Sequence, residues 1–218
     1  GEDFKSYPKT LADDKVLLEA QDIDVLFIPS FSEIYPNGTE SSYDVGEMGT
    51  ILCGMFRPSH FNGVAQVVRR LFEIVRPDYA FFGEKDYQQL LIIKSLVNNF
   101  NFSVSIKSIA IQREGDGLAM STRNQYLSTE ERKIAPLFYM QLCKAKDALE
   151  RGEPIEIVKE RAFNELINDF EVEYLELLNA NNLTQIATTT SSEVIIISAI
   201  RLGDTRLIDN IVFRRPNV

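Results

Sequence analysis

The order of elements in the sequence predicts an α/β fold, a parallel, doubly wound sheet followed by a smaller α+β domain. Two observations carry this expectation. Helical and strand-like stretches alternate as far as Ala110, the pattern that brings successive strands together in parallel, whereas beyond Gln112 two helical stretches precede three strand-like ones. Composition agrees, because 218 residues of which 44% are hydrophobic can bury one large core or two modest ones.

The chain opens on Gly1-Glu2-Asp3-Phe4, without Met and with a polar run leading straight into a helix, which reads as the start of a piece of a longer protein. Thr10 and Asp13 are spaced as a capping pair, and Leu11, Leu17 and Leu18 give the first helix its apolar side. Asp24 to Ile28 reads as a buried strand stopped by Pro29. From Ser30 to Thr50, Pro36, Gly38, Gly46 and Gly49 mark a long loop, with a short edge strand expected at Tyr43 to Val45. From Asn62, the residues Val64, Val67, Val68, Leu71, Phe72 and Val75 recur at helical spacing, so one stripe packs on a sheet until Pro77 ends the helix. Tyr79 to Phe82 is apolar throughout, as a buried parallel strand is. The helix over Leu90, Leu91, Ile92, Ile93, Leu96 and Val97 is apolar around most of its circumference, which means deep burial or a subunit contact. Ser103 to Ala110 is the next strand.

A boundary near Ile111 and Gln112 divides the chain into domains 1–111 and 112–218. In the second, Ser128-Thr129-Glu130-Glu131 is a capping box opening a long helix through Ile134, Phe138, Leu142, Ala145 and Leu149 to about Gly152. Another helix runs from Pro154 through Ile155, Val158, Ala162 and Leu166. Strands are expected at Val172 to Leu178, Val194 to Ile200 and Thr205 to Phe213.

A net charge of −9 argues against nucleic acid or an anionic membrane surface as the main partner, since both reward clustered Lys and Arg. Cys53 and Cys143 are far apart and lack metal-ligand spacing; they read as reduced, buried thiols of a cytoplasmic protein. Neither a signal peptide nor an apolar run of membrane-spanning length is visible.

Two clusters carry chemistry. In the first, Gly83-Glu84-Lys85-Asp86-Tyr87-Gln88-Gln89 follows a strand and opens a helix, where free N–H groups and the Lys85 charge favour an anion. The plainer reading is a capping box between Asp86 and Gln89 with Lys85 solvated. In the second, Arg113-Glu114-Gly115-Asp116-Gly117-Leu118-Ala119-Met120-Ser121-Thr122-Arg123-Asn124 sits at the domain junction and ends in two hydroxyls and a guanidinium suited to phosphate oxygens. Its plainer reading is a polar interdomain linker with a turn.

Together, in this order, the two clusters closely resemble the pantoate–β-alanine ligase family. Further stretches agree: Glu2-Asp3-Phe4 with Tyr7-Pro8 resembles the family's active-site loop, Arg57-Pro58-Ser59-His60-Phe61-Asn62-Gly63-Val64 its RPGHFxGV stretch, and Gly203-Asp204-Thr205-Arg206-Leu207-Ile208-Asp209-Asn210 its closing strand. The resemblance implies a Rossmann-like, nucleotidylyltransferase-type sheet and a C-terminal lid domain. It implies ATP-dependent condensation of pantoate with β-alanine through a pantoyl-adenylate. By the same resemblance, Lys85, Ser121 and Arg123 are the catalytic contacts to the triphosphate. Gly83, Glu84, Asp86, Met120 and Thr122 frame ATP, Gln112 offers a backbone contact to adenine, and Gln89 holds pantoate. Mg²⁺ accompanies the nucleotide with no protein ligand assigned, and a homodimer is implied.

The sequence departs from the family pattern. An N-terminal HxGH motif, with the first strand and helix, is not in this sequence, so low activity is expected of the chain as it stands. Ser59 replaces the usual Gly, and Asn62 stands where a basic residue is common. His60 is the one histidine and reads equally as structural or as touching nucleotide. One alternative stays open, a noncatalytic nucleotide-binding or dimerisation module; a cytidylyltransferase of the same superfold is disfavoured, because the pair Gly83-Glu84-Lys85-Asp86 and Met120-Ser121-Thr122-Arg123 fits the ligase better.

Overall fold

The structure, a computed structural model, describes residues 10–36, 38–39, 43–186 and 193–215. Its described residues fall into two compact units divided between residues 40 and 41. In the smaller unit, the capping pair expected of Thr10 and Asp13 does not form on α1 (Leu11–Ala20): Thr10 makes no side-chain cap bond, and its Oγ1 donates to the Asp14 carboxylate at 3.1 Å instead. Asp24 to Ile28 forms no strand. No described residue pairs with its backbone, and Val25, Leu26, Phe27 and Ile28 are exposed. Within the expected loop, Ser30 and Glu33 make a reciprocal capping box that closes a single helical turn, α2 (Phe31–Ile34).

The larger unit contains two sheets. β1 (Tyr79–Gly83) and β2 (Ser105–Ile109) pair in parallel, and β3 (Glu171–Asn179), β4 (Glu193–Leu202) and β5 (Thr205–Arg214) form an antiparallel sheet in sequence order. The parallel pair and the antiparallel meander are the two architectures expected on either side of Gln112. The edge strand expected at Tyr43 to Val45 is not there; the Val45 N–H goes to Asn62 Oδ1 at 3.2 Å instead of to a neighbouring strand. α3 (Cys53–Phe56), one turn long, was not anticipated from the sequence.

α4 (His60–Val75) and α5 (Tyr87–Asn99) cover one face of the parallel pair, where Phe72, Ile93 and Val97 meet Ala80, Phe82 and Ile106. Tyr79 and Phe81, on the other face, are exposed, so burial of the whole run is not realised. Alternation within a strand sends successive side chains to opposite faces, and helices cover one face only among the described residues. α4 begins at His60 behind Ser59, whose φ of 64° lies in the left-handed region. It ends in a left-handed Arg76 before Pro77, which cannot continue a helix.

The circumferential apolarity of α5 has an internal cause. Ile93 packs on the parallel sheet, Ile92 meets Cys53 and Phe61, and Leu91 reaches Leu178, Ile195 and Ile197 of the antiparallel sheet. Each fully buried Leu or Ile on it contributes roughly 2 kcal/mol. α5 is therefore the wall common to both sheets. The opposite face of the antiparallel sheet packs on α7 (Pro136–Glu150) and α8 (Ile155–Leu166) through Phe138, Leu142, Val158 and Leu166. With both faces covered, the run Val194 to Ile200 on central strand β4 is wholly buried. The capping box at Ser128 and Glu131 forms as expected, but the helix it opens, α6 (Thr129–Ile134), is separated from α7 at Ala135 because Pro136 has no N–H to donate. No helix among the described residues is long and apolar enough to cross a membrane.

Candidate active site

β1 ends at Gly83, and the chain turns through one 3₁₀ turn, Glu84–Asp86, into α5. Gly83 itself has ordinary extended angles, and a side chain there would meet nothing within 4 Å. The capping box between Asp86 and Gln89 does not form: Asp86 makes no side-chain cap bond, since the 3₁₀ turn ahead of α5 aims its carboxylate elsewhere. The neighbouring Gln88 is committed to structure. Its Oε1 accepts from Cys53 N at 3.2 Å, and its Nε2 donates to Met48 O at 2.7 Å and Ile51 O at 2.9 Å.

The second cluster is a closed hairpin, not a loose linker. Met120 N donates to Gln112 O at 2.9 Å, Arg113 bridges Ala119, and Glu114 N donates to Leu118 O at 2.8 Å. Gly117, at φ +93°, makes the bend, and a Cβ on it would lie 2.7 Å from the Tyr139 ring. The bend is held from several sides. Arg132 reaches Asp116 and Glu114 at 2.6 Å each, and Asn124 Nδ2 reaches Glu114 at 2.8 Å and Ala119 O at 3.1 Å. Beyond the hairpin, Ser121 Oγ accepts from Arg123 N at 3.2 Å and caps the turn Thr122–Tyr126. Its hydroxyl hydrogen is left to donate outward.

One cavity brings the clusters together. Lys85, Asp86 and Gln89 line it from the first and Ser121 and Arg123 from the second. Gly83, Glu84, Gln112, Met120 and Thr122 are not among its walls; Gln112 turns its side chain to Ala110 O at 3.2 Å. His60 lines it as well, with Arg57 Nη1 donating to His60 Nε2 at 2.9 Å. Because a guanidinium cannot accept, the ring nitrogen Nε2 is the acceptor of this bond. Asn62 faces the Val45 backbone as described above. The stretches at Glu2-Asp3-Phe4 and Tyr7-Pro8 lie outside the described residues.

Sequence reasoning missed the walls supplied by Arg57, Cys53, Tyr174, Arg206 and Asp209. The polar pair Asp209-Asn210 between the apolar residues of β5 was the available signal, since polar side chains buried in a strand need partners. Arg206 sits on Glu173 at 2.8 Å and Arg113 forks onto Asp209 at 2.6 and 2.9 Å.

The cavity is electropositive within an acidic protein. Four of the described side chains that line it, Arg57, Lys85, Arg123 and Arg206, are cationic, against the carboxylates of Asp86 and Asp209. Burial pulls the Lys85 ammonium below the usual lysine value, with Arg123 and Arg206 acting the same way and Asp86 and Asp209 opposing. Burial pushes the Asp209 carboxyl up, against the Arg113 fork, the Asn210 N–H and Lys85, which favour its charge. Burial also pushes the Tyr174 phenol up. The Lys85 ammonium makes no hydrogen bond or ion pair with the described residues, so a largely desolvated positive charge lines the cavity. No group of three or more His, Cys, Asp or Glu side chains among the described residues is placed to hold a metal ion.

Comparison with known proteins places the chain in a family. The sequence profile of the family described as Pantoate-beta-alanine ligase matches residues 1–212. A pantothenate synthetase of Vesicomyosocius okutanii subsp. Calyptogena okutanii (strain HA) is 50% identical over 216 residues, 99% of this chain and 76% of that protein. The crystal structure of pantoate-beta-alanine (pantothenate synthetase) from Thermus thermophilus superposes with a TM-score of 0.88 at 36% identity, covering 97% of this chain and 77% of that one. A pantoate-beta-alanine ligase of Francisella tularensis, complexed with beta-gamma ATP and beta-alanine, superposes with a TM-score of 0.76 at 31% identity, covering 96% of this chain and 72% of that one.

Proposed function

The chain belongs to the pantoate–β-alanine ligase family, and we propose that it condenses pantoate with β-alanine at the expense of ATP, through a pantoyl-adenylate. The observation that carries this reading is the convergence of Lys85 with Ser121 and Arg123 in one cation-rich cavity. A carboxylate is a poor electrophile. In the proposed first step a pantoate carboxylate oxygen attacks the α-phosphorus of ATP and pyrophosphate departs; in the second the β-alanine amine attacks the acyl carbon, loses a proton, and AMP leaves. The first step brings two anions together, so its barrier falls when fixed cations take up the charge. Lys85 and Arg123 supply that charge, Ser121 Oγ donates beside them, and the Gln89 amide holds pantoate. Asp86, Gly83, Glu84, Met120 and Thr122 shape the nucleotide's surroundings, with Gln112 toward adenine.

Mg²⁺ is proposed to travel with the phosphates, held by their oxygens and water, because the described residues offer no cluster to cage it. Residues 1–111 are taken to bind ATP and pantoate, and residues 112–218 to bring Ser121 and Arg123 over them. A homodimer is proposed on family likeness alone; α5 lends it nothing, its apolar faces being interior.

Mixing the protein with ATP, pantoate and β-alanine should yield pantothenate and AMP in equal amounts, with pyrophosphate released before β-alanine is added. Adenylation of other acids with pantoate left untouched would overturn the reading, and a preference for CTP would redirect it to a cytidylyltransferase.

A further inference from the structure

Two consecutive residues of β5 hold both halves of the cavity, Asp209 from its wall and Asn210 from behind it. Successive side chains on a strand point to opposite faces, and here each face has its own partner. Asn210, 3% exposed, donates from Nδ2 to Glu84 O at 2.9 Å and Lys85 O at 3.1 Å. Asp209, 2% exposed, receives the Arg113 fork, and Arg113 also donates to Gly117 O at 3.1 Å and lies over the Tyr139 ring at 3.5 Å. Asn210 N closes the pair by donating to Asp209 Oδ1 at 2.8 Å. The turn bearing Lys85 and the hairpin leading to Ser121 and Arg123 are thus registered against one another through a single dipeptide.

We propose that Asn210 is a positioning residue for the anion site, acting through the Lys85 backbone without touching substrate. The inference rests on the reading of the cavity as the ATP phosphate site. Its physical basis is that a lysine is a point charge on a flexible four-carbon stem. The Lys85 ammonium has no hydrogen bond or ion pair with the described residues to fix it, so the placement of its backbone decides where the charge stands. No main-chain group of the parallel sheet supplies the two bonds Asn210 makes; they come from the other sheet, 125 residues further along.

The test is a double-mutant cycle of Asn210→Leu and Lys85→Met, with ATP dissociation constants measured by calorimetry and folding checked by thermal melting. Asn210→Leu is isosteric and removes the donor; Asn210→Ser, which restores a donor at shorter reach, serves where the leucine variant does not fold. The expected result is a loss of ATP affinity on the order of tenfold for the Asn210 variant, falling to less than about twofold in the Lys85→Met background, because the group being positioned is gone. An equal loss in both backgrounds marks a general structural role and overturns the proposal. Unchanged affinity in the Asn210 variant, with Lys85→Met still weakening ATP, also overturns it and leaves the phosphate site standing. Unchanged affinity in Lys85→Met overturns both.

Discussion

The side-chain carbonyl of Gln88 accepts the backbone N–H of Cys53 at 3.2 Å, and the same amide donates to the carbonyls of Met48 and Ile51. One buried side chain thereby satisfies three backbone groups of the segment leading into α3 and ties it to α5. Its neighbour Gln89 lies on the cavity wall. Gln88 lines the same cavity, but its amide is spent on backbone groups, whereas that of Gln89 has no such bond among the described residues.

Gln88→Leu should therefore destabilise the fold by about 3 kcal/mol or more, since each backbone group left unpaired in the interior costs roughly 1–3 kcal/mol. Gln89→Leu should leave the melting temperature within about 2 °C of the parent and raise the KM for pantoate by about an order of magnitude. Urea denaturation and steady-state kinetics on the two variants separate these outcomes. Equal destabilisation by both would contradict the division of roles.

Lys85 couples stability to function with a definite sign. Its folded pKa is depressed by burial below the ordinary 10.5, so the penalty for holding the charge is full below the folded value. Between the two values the unfolded chain binds the proton more tightly, and stability rises with pH through that window. Lys85→Met should stabilise the ligand-free protein at neutral pH, with the advantage shrinking as pH climbs towards 10.5. It should also weaken ATP binding by about 10- to 100-fold, the range for a lost charge-assisted bond. In the parent, ATP affinity should decline as pH rises through the folded pKa; in the variant that decline should vanish. Calorimetric titrations across pH would show it.

Gly117 bends the hairpin at a φ that side chains avoid, with the Tyr139 ring against it. Gly117→Ala should cost about 1–2 kcal/mol from backbone strain alone, with the ring clash added. Because the hairpin carries Ser121 and Arg123 into the cavity, ATP affinity should fall together with the melting temperature. Preserved affinity at reduced stability would show that the bend does not aim those residues.

Ser59 occupies a left-handed position ahead of α4, a backbone conformation that favours glycine. Ser59→Gly should stabilise the protein by about 0.5–1 kcal/mol, the left-handed penalty removed less the backbone entropy that glycine adds. A lower melting temperature in the glycine variant would show that the serine is retained for a contact of its own.

Local chemistry by itself determined much here. The period of α4, the Ser128 capping box, the strand-turn-helix at Gly83 and the three closing strands follow from spacing and side-chain type within a few residues, which is the range over which helix caps and turns are decided. Among the residues that line the cavity, Lys85, Ser121 and Arg123 were legible because a charge or a hydroxyl stands at an element end, and Gln89 was legible only through the family resemblance. What the sequence could not decide was partnership between distant segments. Tyr79 to Phe82 and Asp24 to Ile28 look alike as apolar runs, yet only the first finds a paired strand, because pairing depends on which backbone lies alongside. The all-round apolarity of α5 fitted a subunit contact as well as an interior, until two sheets were seen to share it. Asp209 and Asn210 read as polar interruptions of a strand; only the fold, by laying β5 beside a turn 125 residues earlier, turned them into the brace between the two halves of the site.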